Sequence, residues 1–323
     1  MKTLKQVWYL LSIALLAFVQ QAQAQTWPSA KPIQMIVPAG AGGVTDGVAR
    51  VIAQALSDRL GQTVVVENRA GAGGVLGTTS AAKSKADGYT MVIGTNTTMA
   101  ANVYLYKSNQ IDPLKDFTPL AYAVDAPFVL LVPGNSPYKN VAALVAAAKA
   151  APGKLNYGTG TSSALLCAEL FKSIASIDLV KVPYKASPQA LTDLMSGQLD
   201  LVCEPLASSQ GNMTAGRVRA LALTGATRSA LAPDLETAIE AGFPGMEYAA
   251  WIGFWAPAGL PKDIAARISS EILASLKDPE VVRKLHGLGT DPRPVGAEGL
   301  AELQRSELSK IGKVVKAAQI VAQ

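Results

Sequence analysis

Short runs rich in β-branched residues alternate along most of the chain with longer Ala- and Leu-rich stretches of helical period, which restricts it to a sheet covered by helices. Ile33-Gln34-Met35-Ile36-Val37 reads as a strand. Thr45 to Leu60 reads as a helix, with Val48, Ile52, Leu56 and Leu60 spaced four apart. Thr63–Glu67 and Tyr89–Gly94 are further strands, separated by a glycine-rich turn (Asn68–Gly77) and a short Ala-rich helix. A second series follows, with strands at Phe128–Val132, Lys154–Tyr157, Leu179–Val182, Leu199–Cys203 and Val218–Leu223. Helices at Val141–Ala151, Ser162–Ile174 and Pro188–Ser196 fall between them. Ala249–Ala256 is an extended apolar segment, and three helical patterns complete the chain, the clearest being Asp263–Leu276 with Pro261 and Asp263 at its start. The expected class is α/β with parallel strands. Extended segments near Val124 and Ala250 pass between the two series and make two lobes around a cleft. Residues 25–124 plus 249–323 form lobe 1, and residues 125–248 form lobe 2.

The first residues read as an export signal. Lys2 and Lys5 precede an apolar run from Val7 to Val19, and Ala22-Gln23-Ala24 matches a small-x-small cleavage site. The run of 13 residues is shorter than the roughly 20 that span a bilayer. Residues 1–24 are therefore expected to be removed, placing a mature chain that starts at Gln25 in the periplasm. No Cys stands at the cut to carry a lipid. Without Lys2 and Lys5, 27 basic residues face 24 acidic ones, with no block of like charge, which argues against nucleic acid as a partner. Two cysteines, Cys167 and Cys203, enter an oxidising compartment and can either pair or remain two buried thiols.

The chemistry concentrates in two loops. Ala39, Gly40, Ala41, Gly42 and Gly43 lead into Thr45 and Asp46 between a strand and a helix. Glycines let backbone N–H groups approach a ligand, and the helix start adds unpaired donors and partial positive charge, so this loop can seat an anion. The dinucleotide fingerprint lacks its third Gly, and a P-loop would need Gly-Lys-Ser/Thr. Asp46 suits the positive end of the helix dipole, or would pair with a ligand amine. Thr159, Gly160, Thr161, Ser162 and Ser163 form a matching loop in the second series and add hydroxyl donors. Ligands of open α/β sheets lie beyond the carboxyl ends of strands, so Thr95 and Glu204, which end strands, join the candidate set.

Three stretches resemble the Bug receptors, the extracytoplasmic binding proteins of tripartite tricarboxylate transporters: Pro38 to Asp46, Val65 to Gly74, and Asp87-Gly88-Tyr89-Thr90. Gly153 to Tyr157, Val182-Pro183-Tyr184-Lys185, Leu221 to Gly225 and Phe254 to Gly259 continue the resemblance over nearly all of the mature chain. It implies a type II periplasmic binding protein fold that closes on its ligand. The two loops would then pinch one carboxylate, partly through water, and membrane permease subunits would be the partners of a monomeric receptor that needs no cofactor. Ligands of that family include di- and tricarboxylates, amino acids and aromatic acids such as nicotinate or terephthalate. Two departures stand out. Ser163-Ala164-Leu165-Leu166 replaces a frequent Ser-Ser-His-Leu, and Cys203-Glu204-Pro205 replaces a frequent Phe-Asp-Asn. With no imidazole there, Leu165 is expected to form an apolar wall, which points to a dicarboxylate, an aromatic one such as terephthalate included. A periplasmic sensor acting through a signalling partner is compatible with the same features.

An enzyme lacks its parts. The one histidine, His286, sits at an expected helix end. Gly160-Thr161-Ser162-Ser163-Ala164 is not a nucleophile elbow, and no His/Cys spacing suits zinc or haem, so no catalytic or metal-ligating residue is assigned.

Overall fold

The computed structural model describes residues 27–317 and 319–322. The export signal expected over residues 1–24 lies outside them. Strand β1 (Ile33–Val37) is flanked in parallel by β2 (Val64–Asn68) and β3 (Thr90–Thr95). Helix α1 (Val44–Leu60) connects β1 to β2 and buries Val48, Ile52 and Leu56, the stripe that the i+4 spacing predicts. Gly61 ends it in the left-handed conformation, φ 63°. A 3₁₀ turn (Ala72–Gly74) runs into α2 (Val75–Ala82), and β3 runs into a π-helical turn (Thr97–Ala101) followed by α3 (Asn102–Leu105).

Strand β4 (Phe117–Pro133) has 17 residues and joins in one element the strand expected at Phe128–Val132 and the extended segment expected near Val124. Its first part, Phe117 to Pro127, pairs antiparallel with β9 (Ala249–Pro257). From Phe128 onward it pairs antiparallel with β7 (Leu201–Pro205) and β8 (Val218–Leu223). β7 is parallel to β5 (Asn156–Thr159), which is parallel to β6 (Val180–Pro183). The sheet order is β2-β1-β3-β9-β4-β7-β5-β6, with β8 and β10 (Asp291–Gly296) also on β4. One strand thus belongs to both halves of a mixed, curled sheet. Asp125-Ala126-Pro127 interrupts the apolar pattern and hides this continuity from a propensity reading, yet Pro127 keeps register opposite Ala249.

The first half is cored by Ile33, Met35, Ile52, Phe254 and Leu285. In the second half, α4 (Val141–Ala150) and α5 (Ser162–Ala175) cover one face through Leu144, Tyr157, Phe171 and Leu201. Helices α6 (Ser187–Met195) and α7 (Leu206–Thr214) cover the other through Leu191, Leu194, Val202 and Leu206. Each such large side chain contributes roughly 1.5–3 kcal/mol on leaving water. Cys167 in α5 and Cys203 in β7, both fully buried in the core beneath α4 and α5, form a disulfide.

The C-terminal part holds the three expected helices, α8 (Lys262–Ser275), α9 (Pro279–Gly287) and α10 (Ala297–Ala317). β10 intervenes unannounced, because Pro292 and Pro294 argue against a strand. An edge position with a bulge tolerates them. Ile311 and Val315 of α10 pack with Leu105 and Phe171, so this helix joins the two halves. Helix α7 also escapes the sequence reading, since Ser208, Ser209 and Gly211 mask its period.

Candidate functional site

The first loop leaves β1 and opens α1. Gly43 caps the helix without a side-chain bond, so the N–H groups of its first turn have no intrahelical acceptor. Gly40 to Val44 are exposed and Thr45 is half-buried. Asp46 is buried, and its carboxylate accepts from Arg50 Nε at 3.0 Å, the Gly42 amide at 2.9 Å and Asn68 Nδ2 at 2.9 Å. The Arg50 bond, helped by the Gly42 and Asn68 donors, outweighs burial and holds this carboxyl down at about 2. Asp46 therefore acts inside the loop: it curls Gly42 back onto the helix start. The Gly42 amide is committed to it, while the following amides stay free. Gly42 itself has φ 84°, a conformation that costs other residues dearly. Asn68 also donates to the Ala39 carbonyl at 3.2 Å, a tie between β2 and the loop that sequence reading had missed.

The glycine-rich turn before α2 packs against this loop. A Cβ on Gly77 would lie 2.7 Å from Pro38 Cα, and one on Gly74 would lie 2.9 Å from the Pro38 carbonyl oxygen. Ala39 and Thr45 thereby share a cleft of about 330 Å³ with this turn and with Thr95, Thr97 and Thr98. The Thr95 amide donates to Thr98 Oγ1 at 2.9 Å, which orders the hydroxyls at the end of β3. Sequence reading found Thr95 but not Thr97 or Thr98. Their signal was a run of hydroxyl residues just beyond a strand's carboxyl end.

The second loop leaves β5 and opens α5. Thr161 Oγ1 accepts from the Ala164 amide at 3.1 Å and caps the helix, leaving the Ser162 and Ser163 amides without intrahelical acceptors. Thr159 is buried, and Gly160 admits no side chain, since a Cβ there would lie 2.2 Å from the Ser187 nitrogen. Ser163 Oγ lies 3.4 Å from Thr97 Oγ1, so the second loop meets the wall of the cleft described above. The buried Tyr248 hydroxyl faces Ser163 and Asn96 from the residue before β9, and burial raises its pKa well above the usual tyrosine value. No sequence signal marked Tyr248.

Other expected positions fall elsewhere. Leu165 does not wall the cleft. It lines a separate recess of about 70 Å³ with Ser162, Leu105, Tyr106, Ile320 and Val321, because the two-residue step around α5 turns it to the face opposite Ser163. Glu204 is buried at the end of β7, where its Oε1 accepts from Ser187 Oγ at 2.8 Å, and burial lifts its carboxyl to about 7. His286 stands in the last turn of α9, as expected. Among the described residues no cluster of His, Cys, Asp and Glu could hold a metal.

The sequence matches the Tripartite tricarboxylate transporter family receptor over residues 48–320. Three solved proteins share the fold over their whole length. A protein of R. palustris solved with adipate is 35% identical, with a TM-score of 0.75, covering 92% of this chain and 100% of that one. The periplasmic binding protein BugD is 32% identical, with a TM-score of 0.70, covering 91% and 99%. MatC from Rhodopseudomonas palustris with bound malate is 32% identical, with a TM-score of 0.70, covering 89% and 99%. These are binding proteins and not enzymes. The chain belongs to the tripartite tricarboxylate transporter receptor family, the Bug-type periplasmic solute-binding proteins.

Proposed function

We propose that this protein captures a small dicarboxylate in the periplasm and delivers it, as a monomer, to the membrane permease subunits of a tripartite transporter. The observation that carries the reading is that two helix starts with free first-turn amides, α1 at Gly43 and α5 at Ser162–Ser163, belong to loops that meet at one cleft, where Ser163 approaches Thr97 of its wall. Free amides, a helix dipole and hydroxyls suit a carboxylate, and they need no counter-charge from a side chain. In this reading Ala39, Thr45, Thr95 and Ser163 contact the ligand, while Gly40, Ala41, Gly42, Gly43, Gly160 and Thr161 shape the loops. Asp46, Thr159 and Glu204 hold them from beneath. The lobes divide at residues 124/125 and 248/249, close to where β4 changes partners from β9 to β7 and β8.

The adipate and malate of two relatives support an aliphatic dicarboxylate. An aromatic one such as terephthalate has weaker support, since Leu165 lines its own recess. A thermal-shift screen of residues 25–323 against mono-, di- and tricarboxylates is the test. A bound ligand at 100 times its Kd stabilises by about 2.7 kcal/mol. No shift with any carboxylate would overturn the reading.

A further inference from the structure

We propose that Glu204 is a positioning residue that links carboxylate capture to protonation: its neutral acid braces the second loop through Ser187, and its ionised form loosens the loop and weakens binding. The proposal rests on the carboxylate-capture reading and adds a control to it.

Consecutive residues of a strand face opposite sides, so Cys203 and Glu204 grip different helices. Cys203 is bonded to Cys167 in the middle of α5. Glu204 reaches the other way and accepts from Ser187 Oγ in the first turn of α6. The same first turn supports the second loop directly. Gly160 packs so closely on Ser187 that a Cβ would overlap its nitrogen, and the Thr159 carbonyl accepts from the Tyr184 amide at 2.8 Å. Glu204, Ser187 and Gly160 therefore form a continuous path to the amides of Ser162 and Ser163.

Glu204 is only 1% exposed, and its Oε2 has no hydrogen-bond partner among the described residues. A buried carboxylate with one bare oxygen is costly, whereas the neutral acid leaves only an O–H to satisfy. Among the described residues no charged group offsets that cost. β4 presents Val129 opposite, and neither the second loop, nor the first turn of α6, nor α7 carries an ionisable side chain. Farther along α6, Asp193 is bonded to the Tyr184 hydroxyl, and Lys185 points to solvent. Burial alone raises the carboxyl to about 7, against the opposing pull of the Ser187 bond. On ionisation the proton leaves to solvent. The charge strengthens the one Ser187 bond but leaves Oε2 bare in a dry seam, so it draws water between β7 and α6, and the loop loses its packing support.

The test compares wild type, Glu204→Gln and Ser187→Ala. Gln keeps an acceptor for Ser187 and carries N–H donors, so it imitates the neutral acid without titrating. In ligand-free protein, hydrogen exchange of the Thr159–Ser163 amides, corrected for intrinsic rates, should lose protection in wild type between pH 6 and 8.5 and stay constant in E204Q. In S187A the midpoint should move to higher pH, because the lost bond favours the anion. Calorimetric titrations with adipate and with malate should show wild-type affinity falling severalfold from pH 6.5 to 8.5, at most about tenfold per pH unit for one linked proton. E204Q should hold its low-pH affinity throughout. Protection independent of pH in wild type, or the same pH slope in E204Q, overturns the proposal. Absence of adipate and malate binding by every variant at every pH, together with no shift for any carboxylate in the thermal screen, overturns the capture reading, while the exchange profile still decides whether Glu204 controls the loop.

Discussion

Cys167 and Cys203 are bonded with their Cα atoms 6.1 Å apart, which ties the helix that follows the second loop to the strand that carries Glu204. The two positions are 36 residues apart, so the bond closes a long loop in the unfolded chain. Its removal in a C167A/C203A variant should cost about 3–4 kcal/mol by the loop-entropy model. Denaturant unfolding of the variant against wild type measures this. Thiol labelling of denatured, unreduced wild type should find no reactive cysteine, and two reactive thiols per chain would refute the bond.

Gly42→Val should leave the protein folded but unable to shape the first loop. A β-branched residue at φ 84° is strained by about 1–2 kcal/mol or more, and the strain falls on an exposed loop outside the core. Circular dichroism should be unchanged while carboxylate affinity drops at least tenfold by calorimetry.

Asp46 offers a pH test of the same loop. Its folded pKa, about 2, lies below that of the unfolded chain, so its contribution is present above the unfolded value and lost as pH falls towards 2. Asp46→Ala should therefore lower stability by about 2 kcal/mol at pH 7, and the difference from wild type should shrink between pH 4 and pH 2. A difference that persists unchanged at pH 2 would mean that the carboxylate charge is not what anchors Gly42 and Asn68.

Ser163 and Thr97 meet across the cleft with hydroxyl oxygens 3.4 Å apart. If Ser163 donates directly to a bound carboxylate, Ser163→Ala should cost about 1.5–3 kcal/mol of affinity, or about ten- to a hundredfold. Thr97→Ala should cost less, and a double-mutant cycle should show coupling between the two positions. Independent, negligible effects would remove the second loop from the site.

The exported form should begin at Gln25. Mass spectrometry of periplasmic protein decides it, and an intact Met1 would defeat the expected cut after Ala24.

Much of this molecule was legible in the chain because local rules govern it. The i+4 stripe of α1, the strand-glycine-helix order at both loops and the terminal helices follow from side-chain period and capping chemistry, which act over a few residues. The glycines of the two loops raise the expectation of an anion seat for the same reason. What local rules do not carry is pairing between distant segments. β4 became one strand of 17 residues because β9 supplies partners across Asp125-Ala126-Pro127, and β10 formed despite two prolines because an edge of β4 was open to it. The same holds at the site. Only the folded chain commits Asp46 to Gly42 and Asn68, turns Leu165 into a recess behind the loop, and sets Glu204 in a dry seam against Ser187. Residue type and spacing state which groups are available. Hydrogen-bond partners, burial and a shifted pKa depend on which surfaces meet, and that is settled when the sheets and helices close on one another.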